Sequence, residues 1–356
     1  DKTQDLGLQG TYLVIAKDMG SSKTPDYSRV VVIDDLLMDK QGIYPFKDGI
    51  VTHALMGRYG NMFLVNNRST DIQNVSKGDV WRYYFVNTAN ARPFKIAISG
   101  AKMKMIASDQ GVFEREFFAD DFVISPGERY IVDIMFDFID GKKQASLSAI
   151  HPSGPTLLSK FKMSGMATKS EVSSSDFAKL RMNAEESKEF EPIKAKLSQP
   201  PLKHLTIDAE LTGPHASHMM TKSHSDGIEW DDDMGPMSAD ITSADVKWFM
   251  KDEETKKLNM DINWKFNHNE SVKIRIDNKG KTHPMQHPIH FHGQRFVVLA
   301  RNGKPNDNLA WKDTALLPAG ETMDIVLDNQ NKGKWMAHCH ISEHLAVGMM
   351  IGFEVK

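Results

Sequence analysis

The chain repeats itself at an interval of 193 residues, and this repeat constrains its fold more than any other feature. The segment PGERYIVDI at 126–134 resembles PAGETMDIV at 318–326, with Gly127 and Gly320 lying 193 positions apart. The same interval places Gly100, which ends ARPFKIAISG, on the glycine that ends HPIHFHG. A chain of 356 residues is long enough for two domains. The repeat therefore predicts two copies of one fold.

Both copies are rich in short segments in which apolar and polar residues alternate between turn signals. The clearest of these segments lie at 80–86 and 129–136 in the first copy, and at 272–276 and 323–327 in the second. Short strands at such spacing are typical of an all-β sandwich. The sequence therefore predicts an all-β protein built from two tandem β-sandwiches.

A polar stretch separates the two copies. Residues 169–201 are rich in Ser, Glu and Lys and end in a double proline, which predicts a surface linker with a helical turn near 175–180. Before the first copy, TYLVIA at 11–16 resembles the closing strand of a preceding domain. We therefore expect a domain tail at 1–20, a first sandwich at 21–168, a linker at 169–203 and a second sandwich at 204–356.

Composition excludes some classes of partner. The 44 basic and 47 acidic residues give a net charge of −3, which does not support a nucleic-acid partner. No apolar run approaches the roughly 20 residues that a membrane-spanning helix needs. The 21 methionines are a high content. Methionine packs adaptably in cores, and its soft thioether also binds cuprous copper.

The second copy carries two histidine clusters about fifty residues apart. One is HPIHFHG at 287–293, and the other is HCHISEHLAVGMM at 338–350, which contains the only cysteine of the chain. A lone cysteine cannot form an internal disulfide, and here histidines stand on both sides of it. Histidine, cysteine and a weak axial methionine are the ligands of blue-copper electron-transfer sites. The two clusters together predict copper redox chemistry.

Strand geometry sorts these side chains into two groups, because alternate residues of a β-strand point to opposite faces. If the clusters lie on neighbouring strands, one side collects the donors of a mononuclear copper site, namely His287, Cys339, His344 and Met349. The other side collects half of a polynuclear copper cluster, namely His290, His292, His338 and His340. The backbone of the cysteine would join the two sides covalently.

This arrangement resembles the C-terminal domain of the multicopper oxidases, the family of laccases and cuprous oxidases. For the fold, this implies two tandem Greek-key β-sandwiches of the cupredoxin type. The resemblance implies that type 1 copper is held by His287, Cys339, His344 and Met349. It implies a type 2 copper ligand in His290, and type 3 ligands in His292, His338 and His340. Single electrons would enter at the type 1 copper, with His344 as the exposed edge, and pass through Cys339. Dioxygen would be reduced to water at the trinuclear cluster.

The first copy provides an internal control for the metal sites. At the interval of 193 residues, the ligand positions are occupied by residues that do not bind metal in such sites, namely Phe94, Ala97, Ser99, Ala145, Ser146 and Leu147. Only His151 matches a ligand position, that of His344, and we interpret it as a surface histidine. The first copy is therefore expected to retain the fold without the metal, like the middle domain of three-domain multicopper oxidases.

The sequence departs from the family in one respect. A complete trinuclear cluster needs four further histidines from an N-terminal domain, in two His-x-His motifs. This chain has no His-x-His besides those at 290–292 and 338–340. We therefore expect an N-terminal cupredoxin domain as a partner, which would complete the sites for type 2 and type 3 copper.

Two features bear on the substrate. Met285 lies two residues before His287, where a methionine of the cuprous oxidases lies over the type 1 site and helps to bind substrate copper; simple packing is the alternative. The segment 215–237 mixes Met, His and Asp and predicts a long loop, either solvated and acidic or giving cuprous ions access.

Glu343 and Asp313 are the acidic residues nearest the ligands in sequence. Some relatives relay protons through a glutamate that follows the histidine matched by His344, but this chain has Leu345 at that position.

The resemblance implies a laccase-like enzyme that uses dioxygen and a small reducing substrate, such as phenols, aromatic amines or cuprous ion. Two alternatives remain open at this stage. One is a cuprous-ion oxidase for copper tolerance, and the other is a non-catalytic copper-binding or electron-transfer protein. The resemblance also suggests a periplasmic or secreted location.

Overall fold

The computed structural model describes residues 2–14, 25, 27–138, 143–165, 170–212, 225–232 and 242–356. In the first half the strands are β1 (Tyr27–Leu36), β2 (Met38–Asp39), β3 (Gly42–Ile43), β4 (Met62–Val65), β5 (Asp71–Val75), β6 (Val80–Asn87), β7 (Phe94–Ser99), β8 (Lys102–Ser108), β9 (Gly111–Ala119), β10 (Asp121–Ile124), β11 (Arg129–Met135), β12 (Gln144–His151) and β13 (Gly154–Met163).

In the second half the strands are β14 (Lys203–Leu211), β15 (Val246–Asp252), β16 (Asn263–Phe266), β17 (Ser271–Asp277), β18 (His287–Phe291), β19 (Arg295–Arg301), β20 (Lys304–Pro305), β21 (Thr314–Leu317), β22 (Thr322–Asp328), β23 (Gly333–Cys339) and β24 (Met350–Val355). The helices are α1 (Lys2–Asp5), α2 (Ile50–Met56), α3 (Ser174–Ala178), α4 (Ala184–Lys194) and α5 (Ser342–Ala346). None of the described helices is long and apolar enough to cross a membrane.

Each half folds into a six-stranded and a five-stranded sheet. The strand orders are β4-β1-β6-β11-β8-β9 and β10-β7-β12-β13-β5 in the first half, and β15-β14-β17-β22-β19-β20 and β16-β24-β23-β18-β21 in the second. The two sets correspond strand by strand in chain order, and the hairpin of β2 and β3 is an addition to the first. The predicted all-β fold, made of two tandem sandwiches, is confirmed.

The repeat extends to an irregularity in the strand pairing. In the first half the register shifts at Ile106, which β8 inserts between the partners of β11. In the second half it shifts at Leu299, which β19 inserts between the partners of β22. These two bulges lie 193 residues apart, the interval read from the sequence. A β-bulge bends its strand locally, so both sandwiches bend at the same point.

One part of the sequence alignment between the copies is wrong. Ile96 and Ile289 are equivalent at the interval of 193, and they pair with Ala149 and Cys339 respectively. The first copy therefore places Ala149, not Ser146, at the cysteine position. Ile96 and Ala149 lie 53 positions apart in the chain, whereas Ile289 and Cys339 lie 50 apart, so three additional residues in the first copy shift the alignment. In either alignment, the positions equivalent to the ligands on this strand carry only Ala, Ser, Leu or Ile.

His151 is a second correction. The shifted alignment removes it from the position equivalent to His344. Its side chain is buried, with 7% exposed, and its ring lies 4.9 Å from that of Phe63 between centroids. It is therefore a buried histidine of the first sandwich and not the surface residue that we predicted.

The polar segment between the sandwiches is more ordered than a linker. Helix α3 matches the predicted turn, but α4 was not predicted. Phe190 and Ile193, three residues apart on α4, are buried against the second sandwich in a cluster with Trp311. Residues separated by three share a helix face, which explains why a mainly polar segment packs there. Residues 11–14 form no strand, and residues 15 and 16 lie outside the described residues.

Helix α2 belongs to the first half of the chain but packs into the core of the second sandwich. Ala54, Leu55 and Met56 are buried there in one apolar cluster with Cys339 and Met349. The helix lies between the small hairpin and β4 in sequence. A segment of the first half thus covers one of the predicted metal sites.

Buried charges join the two sandwiches. The Lys312 Nζ lies 3.1 Å from an oxygen of Asp109 and 3.2 Å from an oxygen of Glu128, and it donates to the Ser108 hydroxyl at 2.6 Å. Burial alone would lower the pKa of Lys312, but Asp109 and the neighbouring acidic groups raise it above its ordinary value. The lysine is therefore held in its charged form between the sandwiches.

Replacing Lys312 with alanine is expected to lower the free energy of unfolding by about 3 kcal/mol, because it leaves buried carboxylates without their cation. Denaturant unfolding followed by circular dichroism measures this loss. Lys332→Ala is the control, since Lys332 is exposed. Equal stability of the two variants would contradict the expectation.

Candidate metal centre

The two histidine clusters lie on adjacent antiparallel strands, as predicted. Strand β18 pairs with β23, so that Ile289 lies opposite Cys339 and His290 lies opposite His338. Residues directly opposite on paired strands project to the same face. This register separates the predicted metal-binding side chains into two groups on opposite faces of the sheet.

The first group lies on the core side of the sheet. The Cys339 Sγ is 3.7 Å from the His287 Nδ1 and 3.6 Å from the His344 Nδ1, and the two nitrogens are 3.3 Å apart. All three residues are fully buried. The converging atoms come from β18, the end of β23 and helix α5.

Met349 is buried beside this group, in the same apolar cluster as Cys339. Its amide donates to the carbonyl of His344 at 2.9 Å, and its own carbonyl accepts from the amide of Cys339 at 3.2 Å. These two hydrogen bonds hold the backbone of Met349 next to His344 and Cys339. The structure thus brings together the four residues predicted for the mononuclear site.

The protonation states of the first group suit metal binding. The His344 Nε2 donates to the Leu55 carbonyl at 2.9 Å, which leaves the Nδ1 lone pair directed at the sulfur. Burial lowers the pKa of His344 to about 3 and that of His287 well below its usual range, so both imidazoles are neutral. Burial raises the pKa of the Cys339 thiol. A bound cation is therefore needed to keep this sulfur as a thiolate.

These donors fit copper. Two neutral imidazole nitrogens and one sulfur converge, and these three residues and the thioether of Met349 are all fully buried. This set of ligands is that of blue-copper centres.

His344 is not exposed, so the expectation of an exposed edge on this residue is wrong. Its side chain has 0% exposure. The Leu55 carbonyl of α2 covers one edge of the ring, and the Trp248 ring lies 4.6 Å from the rings of both His344 and His287. The Trp248 indole donates to the Ala54 carbonyl at 3.1 Å, which joins it to α2. Within the described residues, α2 and Trp248 form the cover of this site.

The second group lies on the opposite face. One ring nitrogen each of His290, His292 and His338 falls within a cluster in which all atoms are within 4.8 Å of one another. The Nε2 atoms of His292 and His338 are 2.9 Å apart. His340 lies beside them, with its ring centre 5.9 Å from that of His290. Its Nδ1 is buried without a hydrogen-bond partner among the described residues.

Backbone carbonyls orient the rings of the second group. The His338 Nδ1 donates to the Cys339 carbonyl at 2.7 Å, and the His290 Nδ1 donates to the Asp313 carbonyl at 2.9 Å. In both rings the Nε2 is then the free nitrogen. Burial lowers the pKa of His290 to about 4 and that of His340 to about 3, so these imidazoles are neutral. Such a group fits one side of a polynuclear copper cluster.

Other predicted residues lie nearby in different surroundings. Met285 is fully buried in the apolar cluster that contains Cys339. Glu343 accepts two hydrogen bonds from the Asn90 amide of the first sandwich, at 2.8 and 2.6 Å. Of the predicted loop, 215–224 and 233–237 lie outside the described residues. In the described part, the Glu229 amide donates to the Gln286 side chain at 2.7 Å.

Sequence reasoning missed the residues that surround the ligands from a distance in the chain. Leu55 and Trp248 contact the first group, and Gly127, Arg129 and Thr314 contact the second or its partners. None of them is adjacent to a histidine motif in sequence. The repeat contained one signal, since Gly127 and Arg129 lie in PGERY, the turn by which the two copies are aligned, but nothing in it pointed to the metal site.

Comparisons with known proteins agree with this geometry. Two family models, both described as multicopper oxidase, match residues 16–141 and 232–356. A multicopper oxidase from Staphylococcus epidermidis is 39% identical over 98 residues, which cover 27% of this chain and 20% of that protein. Laccase-14 of Oryza sativa subsp. japonica is 31% identical over 102 residues, covering 25% and 18%. These matches span about a fifth of each relative.

Solved structures show the same fold. A multicopper oxidase from Campylobacter jejuni, described as a metallo-oxidase, superposes with a TM-score of 0.66 at 22% identity, covering 93% of this chain and 64% of that one. A laccase from Pediococcus acidilactici superposes with a TM-score of 0.65 at 21% identity, covering 93% and 60%. With two matching family models and two sandwiches of cupredoxin fold, this chain belongs to the multicopper oxidase family.

Proposed function

We propose that the chain forms the electron-accepting part of a laccase-like multicopper oxidase. The enzyme would take single electrons from a reducing substrate and reduce dioxygen to water. The observation that carries the proposal is the pair of donor groups on opposite faces of β23, joined through the residues 338–340. Copper bound at the two groups would supply the one-electron redox chemistry.

The residues of the chain would divide the work between the two groups. We propose that His287, Cys339, His344 and Met349 hold the type 1 copper. The second group would offer His290 to type 2 copper, and His292, His338 and His340 to type 3 copper. The peptide backbone from Cys339 to its flanking histidines offers a bonded route between the groups. Trp248 and α2 would exclude water from the first group.

The domain organisation is proposed to follow the family. Residues 1–20 would be the tail of an N-terminal cupredoxin domain, 21–168 the copper-free sandwich, 169–203 the connection and 204–356 the copper-binding sandwich. The N-terminal cupredoxin domain would supply the remaining histidines of the trinuclear cluster. It is therefore the partner that the whole enzyme requires.

The copper content of the purified chain tests the proposal. Reconstitution with copper and intact mass measurement should give at least one copper per chain together with intense visible absorption from the thiolate. Type 1 binding is expected from this chain alone because its four donors all lie in one sandwich. A chain that binds no copper, or binds it without colour, would overturn the proposed type 1 site.

A cuprous-ion oxidase is the second candidate, and the burial of His344 favours it. A phenol docked on the surface cannot touch an imidazole that is covered by α2 and Trp248. Electrons would then enter through the Leu55 carbonyl or the Trp248 ring. A small soft cation that reaches buried thioethers suits such a site better than a bulky aromatic molecule.

Replacing Met285 with leucine in the complete enzyme is expected to lower cuprous oxidation several-fold and phenol oxidation little. Leucine keeps the packing volume but removes the soft sulfur. Steady-state rates with cuprous ion and with a phenol measure the difference. Met323→Leu is the matched control, because Met323 is also fully buried in the same cluster. Equal losses on both substrates would favour a plain laccase.

A further inference from the structure

A turn of the first sandwich, residues 126–130, lies directly against the second group of histidines. A Cβ atom added at Gly127 would lie 2.5 Å from the His340 Cδ2 and 2.7 Å from its Nε2. Only a residue without a side chain therefore allows the His340 ring to occupy its place. Gly127 also has a φ of +83°, which favours glycine.

The same turn holds Asp313 through Arg129. The guanidinium donates to both carboxylate oxygens, with Nη1 2.5 Å from Oδ1 and Nη2 2.7 Å from Oδ2. Gln110, also of the first sandwich, donates to Oδ2 at 2.6 Å. Paired Arg–carboxylate bonds of this kind impose a defined geometry.

Asp313 in turn determines the orientation of His290. The Thr314 hydroxyl donates to the Asp313 Oδ1 at 2.9 Å, so its oxygen is left to accept from the His290 Nδ1, also at 2.9 Å. The Asp313 carbonyl accepts from the same nitrogen at 2.9 Å. The proton of His290 is thereby placed on Nδ1, and Nε2 carries the lone pair. The chain of contacts runs from Arg129 in one sandwich to His290 in the other.

We infer that the turn 126–130 of the copper-free sandwich positions His290 and His340 for metal binding. Gly127 and Arg129 are positioning residues in this role, since neither is a ligand. The copper-free sandwich thus acts as a template for half of the cluster in addition to filling its place in the fold. The inference rests on the proposed function, because it requires that the second group of histidines binds copper.

The contact at Gly127 can be separated from backbone strain by a matched pair of variants. Gly320 is the repeat equivalent of Gly127 and has a similar φ of +79°, but a Cβ there would meet no atom within 4 Å. Both Gly127→Ala and Gly320→Ala therefore strain a turn, and only the first presses on His340. Each is made in the 356-residue chain that also carries Cys339→Ser and His287→Ala, so that the first group keeps one imidazole and no thiolate and the second group is the stronger copper site.

Titration with copper(II) ion, followed by electron paramagnetic resonance, measures affinity and the number of coordinating nitrogens. The parent is the chain that carries only the background substitutions. Gly127→Ala is expected to bind copper about tenfold or more weakly than the parent, which is the usual loss when a residue that contacts a metal ligand is replaced. Gly320→Ala is expected to match the parent.

Arg129 is tested in the same background. Arg129→Ala is expected to weaken copper binding about tenfold, and Arg129→Lys should recover part of the loss because it keeps the charge without the paired geometry. Arg82→Ala is the control for general destabilisation. Arg82 pairs with both oxygens of Asp133 in the same sandwich, at 2.7 and 2.9 Å, and is buried.

Equal copper affinity in the parent, Gly127→Ala and Arg129→Ala would overturn the inference and leave the proposed function standing. If Gly320→Ala and Arg82→Ala lost as much copper affinity as Gly127→Ala and Arg129→Ala, the inference would also be overturned. The loss would then reflect a general loss of stability. A parent chain that binds no copper at the second group would overturn the proposed cluster ligands, and the inference with them.

Discussion

Replacing Cys339 with serine is expected to abolish the intense visible absorption of the copper-reconstituted chain, because the Cys339 sulfur lies at the centre of the first group. The absorption arises from charge transfer between a thiolate and copper, and Cys339 is the only thiol of the chain. Serine has nearly the same size, so the buried position stays filled and the fold is retained. Visible absorption measures the loss, and circular dichroism measures the fold.

His292→Ala is the matched control for this experiment. His292 belongs to the second group, on the opposite face of the paired strands, and contacts His338 rather than the sulfur. Its replacement is expected to leave the colour of the first site unchanged. If the serine variant remained blue, the absorption would not arise from the Cys339 thiolate, and the assignment of the first group would be wrong.

The 356-residue chain by itself is expected to reduce no dioxygen to water, and turnover should appear when an N-terminal cupredoxin domain is supplied. Reduction by four electrons needs a cluster that does not release partly reduced oxygen. The four histidines of the second group offer one side of such a cluster, and the chain has no further His-x-His motif. Three copper ions sharing four imidazoles would lack ligands.

Oxygen-electrode measurements with a generic one-electron reductant test this expectation. The matched control is the same chain mixed with the N-terminal domain, which should show turnover. In this mixture, His290→Ala in the 356-residue chain should remove the turnover again. Sustained water-forming turnover by the purified chain alone would contradict the expectation. It would point to ligands contributed by a second copy of the chain across an interface.

The side chains proposed to bind the metal were predictable because their geometry is local. A strand alternates its side chains with a period of two, so a His-x-His motif fixes which residues share a face. The separation of Cys339 from His338 follows from this rule without any knowledge of distant contacts. The bulges at Ile106 and Leu299 were not predicted, but they occupy equivalent positions because both copies keep the same strand order.

Predictions that depended on loop length or on distant segments were less successful. Three additional residues before β12 moved the alignment from Ser146 to Ala149, since a register is set by pairing partners rather than by spacing along one strand. Helix α4 carried a signal, with Phe190 and Ile193 on one face, but its polar composition favoured a linker. Burial of Phe190 and Ile193 against Trp311 in the second sandwich is what favours the helix there.

The sequence by itself determined the family, the two sandwiches and the identity of the donor side chains, because these depend on periodicity and on motifs within single strands. Only the tertiary structure decided what surrounds them. It buried His344 under Leu55 and Trp248, and it placed Gly127 against His340. These contacts join residues more than 90 positions apart in the chain. Such pairs depend on how distant segments and the two sandwiches pack, and packing leaves no periodic pattern in either partner.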